Sequence, residues 1–563
     1  MTSNDYHFVD RWRVEGDIKE VADIIEDALS LPRWWPSVYF DVNEVEPGGE
    51  HGIGRLISGW LAKAKYLSMT IDNAASMIAW LPDLIFTGRR FESGMTVVCN
   101  SLGLIVKLAR VDELNDEKRI RLSNRAMLPG MVNAHSHAFQ RVLRGRTEFR
   151  GGLLPARSGD SPTLNGELAE HSFWTWREMM YAAAMRLSVE DIYDASRMAF
   201  LEMALNGIAA VGEFHYLHHA ANGSPYDDRN LLAKEVVRAA RDVGLRVALL
   251  RVAYARPGYQ TEPNPKQARF IEKDPEIYLR NLEKLIEDLS QAGDRSAWVG
   301  VAPHSVRAVP LDYLREVIAF ANQRDLKVHM HVAEQPAEVS ACAEEYGRTP
   351  IALLDTEGLL SKNFTAVHAI HVTPKAIPAM ARAGAMVCAC PTTERNLADG
   401  VVPADEYLKH NVPICLGTDS HVQIDLLEDA RELEYHLRLQ KLARAVLDTQ
   451  SQVSSLKSQV SDASKLAAQL FDCATINGAR SIDTPSGALE PGKSADFFTV
   501  ALDDPSIAGA SPDNLLASIV FSSSRAAVRE VVVGGKPIVS DGRHLMQDEV
   551  VERFNDLQRR LWN

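Results

Sequence analysis

From residue 126 to residue 420 the chain repeats one pattern eight times, a short apolar run followed by a longer amphipathic stretch. The runs are "AMLPGMVNAHSH", "GIAAVGEFHYL", "LRVALLRVAYA", "AWVGVAPHS", "LKVHMHVAEQ", "TAVHAIHV", "AMVCACPTT" and "VPICLGTDS". Each is rich in Val, Ala, Ile or Leu and of strand length. Stretches between them, such as "DDRNLLAKEVVRAARDVG" and "LDYLREVIAFANQRD", have helical spacing. Near-continuous apolar strands alternating with helices mark a parallel sheet covered on both faces. Eight such units predict an α/β fold, a (β/α)8 TIM-like barrel.

The runs share a second property. Each is apolar at its start and chemically loaded at its end. His135 and His137, Glu213 to Tyr216, His304 to Arg307, His331 to Glu334, His368 and Asp419 all fall at a run's C-terminal end. In a (β/α)8 barrel those ends converge on one mouth, where active sites sit. Scattered histidine motifs thereby become one candidate site.

The flanking residues read differently. "DLIFTGRRF", "MTVVCN" and "GLIVKLARVDE" come before the barrel, and "SADFFTVAL" and "AVREVVVGGKPIV" after it. Short strands with glycine-rich turns predict a small β-sandwich built from residues 80–125 and 485–545, flanking a barrel over 126–484. Residues 546–563 read as a C-terminal helix, and "DTQSQVSSLKSQVSDASKLAAQL" as a surface helix that could serve an oligomer contact. Residues 1–75 look like a short α+β appendage foreign to the rest.

Composition excludes several classes. A net charge of −14 argues against a general nucleic-acid or membrane-surface binder, though a local arginine cluster could still hold a small anion. The six cysteines show no disulfide framework spacing, which predicts buried free thiols and a reducing, cytoplasmic compartment. There is no signal peptide pattern and no apolar run long enough to span a membrane.

In "HSH", His135 and His137 share one face of an extended strand end, as two imidazoles on one metal would. Alone the pair is a modest signal. "HMHVAE" adds His329 and His331 on one face with Glu334 three residues past His331, "VHAIH" adds His368 and His371, and "LGTDSH" adds Asp419. Histidines with a carboxylate form a Zn2+-type ligand set.

This spread of motifs resembles the amidohydrolase superfamily. The resemblance implies that His135, His137, His331 and Asp419 bind the metal. Binuclear members bridge two metals with a carboxylated lysine on strand four. Here that strand reads "WVGVAPHSVR" and has no lysine, so one ion per chain is expected, Zn2+ with Fe2+ as the alternative. Glu334 matches the deaminase branch, where HxxE supplies a proton shuttle. The catalytic set implied is Glu334, His368 and Asp419. The metal lowers the pKa of a water toward about 7 for attack on a C=N carbon. Asp419 takes the water's proton, Glu334 protonates the leaving nitrogen, and His368 holds the nucleophile or the developing charge.

Longer motifs narrow the branch. "LPGMVNAHSHAFQRVLRG", "SFWTWREMMY", "VGEFHYLHH", "APHSVRAV", "CPTTERNLADG" and "GTDSHVQIDLLEDARELEYHLRL" resemble the formiminoglutamate deiminases of histidine degradation over residues 80–545. That implies hydrolysis of N-formimino-L-glutamate to N-formyl-L-glutamate and ammonia, with substrate bound by Gln140, Arg177, Tyr216, His304 and Arg307. Arg177 and Arg307 are guanidiniums suited to carboxylate forks. A small dicarboxylate is thus the expected partner, with no nucleic acid and no membrane, in a homodimer. Another formimino acid, or a heterocycle of guanine or triazine type, are alternative substrates, and the two arginines speak against a heterocycle. A non-catalytic barrel predicts lost ligands, and none is missing. Two departures stand out, a long connection over 151–172 and Arg395, which would add positive charge if it pointed into the mouth. Residues 1–75 resemble the opening of a polyketide-cyclase/START-like domain.

Overall fold

The computed structural model describes residues 39–46, 56–61, 64–70, 77–148, 173–293, 295–448 and 464–563. Its centre is a sheet of eight parallel strands in sequence order. They are β1 (Met131–Ser136), β2 (Ile208–His215), β3 (Arg246–Ala253), β4 (Ala297–Pro303), β5 (Val328–Val332), β6 (Phe364–His368), β7 (Met386–Ala389) and β8 (Ile414–Leu416). Each falls within one of the eight apolar runs, except that β6 begins one residue before "TAVHAIHV". Nearly every strand residue is buried, as expected where helices cover the outside and side chains fill the inside.

The barrel closes through the mouth residues themselves. The Asp419 N–H donates to the His135 carbonyl and the His137 N–H donates to the Asp419 carbonyl, both at 3.1 Å. Gly417 lets β8 come this close. A Cβ there would lie 2.7 Å from the His135 Cβ and 2.9 Å from its carbonyl oxygen.

The helices follow from the spacing of apolar residues. Leu231–Val243 buries Leu232, Val236, Ala240 and Val243 on one stripe, and Gly244 ends it in the left-handed conformation at φ 89°. Leu311–Gln323 buries Leu314, Val317, Ile318 and Ala321 in the same way. At the barrel's N-terminal end, helix Ile476–Ile482 packs against Val132, Ala210 and Ala248. Trp298 Nε1 and His329 Nε2 donate there to the carbonyls of Ile482 and Ser481 at 2.7 and 3.0 Å.

Segments on both sides of the barrel build one nine-stranded sheet. Its hub is Lys118–Pro129, parallel to Ile78–Phe86 on one side and antiparallel to Phe497–Ala501 on the other. Trp80, Val97, Phe497 and Val532 fill one apolar cluster, while Ala79, Leu81, Val98 and Ala109 fill another. Lys118–Pro129 leads through Gly130 straight into β1, so the sheet is anchored at the metal-motif strand.

Helix Gln547–Trp562 buries Val550, Phe554, Leu557 and Leu561. It also braces the turn after "HSH": Gln558 Nε2 donates to the Val142 carbonyl at 3.1 Å, and Arg141 lies over the Phe554 ring. The surface-helix reading of the 448–470 stretch needs correction in its described part. Residues 449–463 lie outside the described residues, but helix Lys465–Ala474 buries Ala467, Leu470, Phe471 and Cys473. Period alone does not say which of two neighbours an apolar stripe faces.

Of the appendage, Tyr39–Glu46, Leu56–Leu61 and Ala64–Thr70 pair as a three-stranded antiparallel sheet. Its expected helix and the "RWWP" turn lie outside the described residues. All six cysteines are buried and free. Among the described residues no helix is long and apolar enough to cross a membrane.

Candidate metal centre and active site

β1 delivers His135 and, one residue past its end, His137. β5 delivers His331, and Asp419 stands three residues past β8. His135 Nε2 lies 3.3 Å from His137 Nε2 and 3.2 Å from His331 Nε2. Asp419 Oδ1 lies 3.4 and 3.1 Å from the Nε2 atoms of His135 and His137. All four side chains are buried, and their ligand atoms fall within 4.8 Å of one another.

The second nitrogens of His137 and His331 are committed elsewhere, while His135 Nδ1 is buried with no hydrogen-bond partner among the described residues. His137 Nδ1 donates to the Phe214 carbonyl at 2.9 Å, and His331 Nδ1 donates to the His304 carbonyl at 3.0 Å. A carbonyl can only accept, so these bonds place a proton on Nδ1 and turn Nε2 inward. Burial pulls the His135 pKa down to about 3 and that of His331 well below its usual value. Burial would raise Asp419, but the bonds to His135 and His137 outweigh it and hold the carboxyl ionised. Imidazoles converging in this way beside an ionised carboxylate fit a divalent cation.

His329 is on the same inward face of β5 as His331 but one layer deeper. It faces Ser481, away from the cluster. His371 is likewise no ligand, since its Nε2 donates to the Asp399 carbonyl at 2.8 Å.

Beside the cluster stand Glu334 and His368. His368 Nε2 is 3.8 Å from both Glu334 Oε1 and Asp419 Oδ2. Its Nδ1 lies 3.2 Å from Glu394 Oε1, a carboxylate that also accepts the Cys390 N–H at 2.9 Å. Burial opposes a charge on His368, yet Glu334, Glu394 and Asp419 together push its pKa up to about 10. Burial also raises Glu334. Backbone strain concentrates here. Ala333, His368, Ala369, Asp419 and His421 all have positive φ, between 45° and 67°.

The expected substrate residues ring the same mouth. Gln140 Nε2 donates to the Tyr216 hydroxyl at 2.8 Å, and that hydroxyl packs on Met180. The His304 ring lies 4.8 Å from that of His331. Arg307 sends Nη1 to the Pro257 carbonyl at 2.8 Å. Arg177 stacks over the Trp174 ring, with Tyr181 beside it. Burial first, then the charge of Arg307, depress the Arg177 pKa, which puts the two guanidiniums in one neighbourhood. Gln140 Oε1, Arg177 Nε and His368 Nε2 are buried with no hydrogen-bond partner among the described residues. Buried polar atoms of this kind are rare unless something else binds them.

Arg395 does not point into the mouth. It pairs with Glu432 at 2.7 Å, with 43% of its side chain exposed, because helix Pro391–Leu397 turns it outward. The neighbouring Glu394 turns inward instead and was missed in the sequence. Its signal was its place four residues after Cys390, one residue past the seventh run. Also unforeseen was the net behind the metal motif. Glu213 accepts from Ser136 Oγ at 2.5 Å and from the Ala138 N–H at 2.8 Å. Ser136 Oγ in turn lies 3.0 Å from His421 Nε2. The connection over 151–172 lies outside the described residues.

An eight-stranded parallel barrel whose mouth gathers three histidines and an aspartate defines a (β/α)8 protein of the metal-hydrolase class. The profile of the amidohydrolase family matches residues 126–538, and the chain belongs to that family. The formimidoylglutamate deiminase of Pseudomonas aeruginosa is 37% identical over 432 residues, 76% of this chain and 88% of that protein. A crystal structure of an amidohydrolase from Brucella melitensis has a TM-score of 0.72 at 31% identity, covering 86% of this chain and 100% of that one. An adenosine deaminase from Xanthomonas campestris with bound zinc shares the fold, with a TM-score of 0.68 at 22% identity over 86% of this chain and 98% of its own.

Proposed function

We propose that this chain is a metal-dependent deiminase that hydrolyses N-formimino-L-glutamate to N-formyl-L-glutamate and ammonia. One observation carries the reading: the histidine–aspartate cluster, a Glu334–His368 pair and two arginines share one barrel mouth. The likeness to formimidoylglutamate deiminase over most of both chains supports the substrate.

His135, His137, His331 and Asp419 would hold the ion, one Zn2+ per chain, since β4 carries no lysine to bridge a second. Bound there, it supplies Lewis acidity that lowers the pKa of the attacking water. Asp419 turns Oδ1 to the histidines and keeps Oδ2 on the His368 side, placed to take the water's proton. Glu334 Oε1, facing the same space, passes a proton to the leaving nitrogen, which departs as ammonia. His368, held by Glu394 through Nδ1, offers Nε2 to the oxygen that forms on the attacked carbon. Arg177 and Arg307 hold the carboxylates, and Gln140, Tyr216 and His304 orient the chain between.

The test is ammonia release by the purified protein from N-formimino-L-glutamate, N-formimino-L-aspartate and guanine. The reading expects the first to be turned over best by kcat/KM. Preference for guanine overturns it.

A further inference from the structure

Asp399 has no part in the chemistry assigned so far, yet it is 3% exposed and stands against that chemistry. It follows helix Pro391–Leu397, past a left-handed turn at Ala398 with φ 57°. Its main chain ties both flanks of the site together. The Asp399 N–H donates to the Glu394 carbonyl at 2.9 Å, and the Asp399 carbonyl accepts from His371 Nε2 at 2.8 Å. Gln335, the residue after Glu334, donates from Nε2 to Asp399 Oδ1. Oδ2 is buried and has no protein partner among the described residues.

The carboxylate is therefore fixed by one oxygen, with the other left to accept. Its surroundings are acidic. Burial, then the charge of Glu334, push the Asp399 pKa up to about 9; His368 opposes this, and Glu394 and Asp419 add to it. A second buried carboxylate near Glu334 is costly unless a cation meets it. In the reading above, Arg177 and Arg307 are taken up by the two carboxylates. An amidine is a strong base, protonated at neutral pH, and offers N–H donors as a guanidinium does. We infer that Asp399 binds the positively charged amidine end of the substrate through Oδ2 and selects a cationic head group over a neutral one. The inference rests on the deiminase reading above.

The test compares two ligands that differ only at the head. N-formimino-L-glutamate is the cationic substrate, and N-formyl-L-glutamate serves as a neutral-headed competitive inhibitor. Asp399→Asn keeps the size and can still meet Gln335. It should lower kcat/KM for the substrate by tenfold or more, mostly through KM, while the inhibitor's Ki moves less than threefold. Asp399→Ser, which also removes the charge, gives the same comparison if the Asn variant fails to fold. Equal losses for both ligands, or no loss for either, overturn the role. Turnover by the unsubstituted protein separates the two claims. Its absence overturns the substrate reading and this one with it, and its presence with an unselective variant overturns the role of Asp399 alone.

Discussion

His135 Nε2 and His331 Nε2 lie 3.2 Å apart although the residues stand 196 positions apart in the chain. His331 Nδ1 is committed to the His304 carbonyl, which turns its Nε2 toward His135, and burial keeps both imidazoles neutral. Neutral nitrogens this close, beside the Asp419 carboxylate, suit a cation. The protein should carry one equivalent of Zn2+ per chain, and His331→Ala should lose it. Elemental analysis checks both. Two equivalents in the active protein, or full metal content in the variant, would contradict the site.

Glu334 is placed three residues past His331, with Oε1 3.8 Å from His368 Nε2. Glu334→Gln preserves size and loses the titrating proton. Turnover should fall by about a hundredfold or more, with metal content unchanged. Steady-state kinetics beside elemental analysis tests this. Near-normal kcat would remove Glu334 from the mechanism.

Much of this was legible in the sequence. The eight strands could be placed because a strand covered on both faces is apolar throughout, and because its polar residues are pushed to the end that opens on the mouth. His331 could be preferred to His329 only through the family likeness. Both lie on one face of β5, and what separates them is depth in the barrel, which a period of two does not encode. Glu394 and Arg395 show the same limit on a helix, where a rotation of one residue sends one inward and its neighbour to Glu432. Asp399 was hidden in "NLADG", which reads as a turn.

His329 gives a pH prediction for stability. It is fully buried, donates to the Ser481 carbonyl, and burial pulls its pKa down to about 4. In the unfolded chain it titrates near pH 6.5. The unfolded state therefore takes up the proton first as the pH falls. The stability that the neutral imidazole contributes is complete above pH 6.5 and is lost on the way down to pH 4. His329→Gln keeps a donor for Ser481 and does not titrate. Between pH 7 and pH 4 the unsubstituted protein should lose roughly 3 kcal/mol more than the variant, at about 1.4 kcal/mol per pKa unit. Urea unfolding at both pH values measures the difference, and parallel losses would sink the claim.

Arg307 tests the substrate. It follows β4 by four residues, and its backbone and Nη1 are tied to the loop after β3, through Arg256 Nε at 3.1 Å and the Pro257 carbonyl at 2.8 Å. That anchoring lowers the entropy a long side chain must lose on gripping a carboxylate. Leaving a bound carboxylate unpaired in a closed site costs about 2–5 kcal/mol. Arg307→Met should therefore lower kcat/KM for N-formimino-L-glutamate by roughly 30-fold to several thousandfold, at about 1.4 kcal/mol per decade. Formamidine, which has the reacting group and no carboxylate, should be turned over almost as before. Equal losses on both substrates would make Arg307 a structural tie between two loops. With neither substrate affected, the acid would have to be held by Arg177, whose Nε is buried without a protein partner and whose guanidinium is stacked on Trp174.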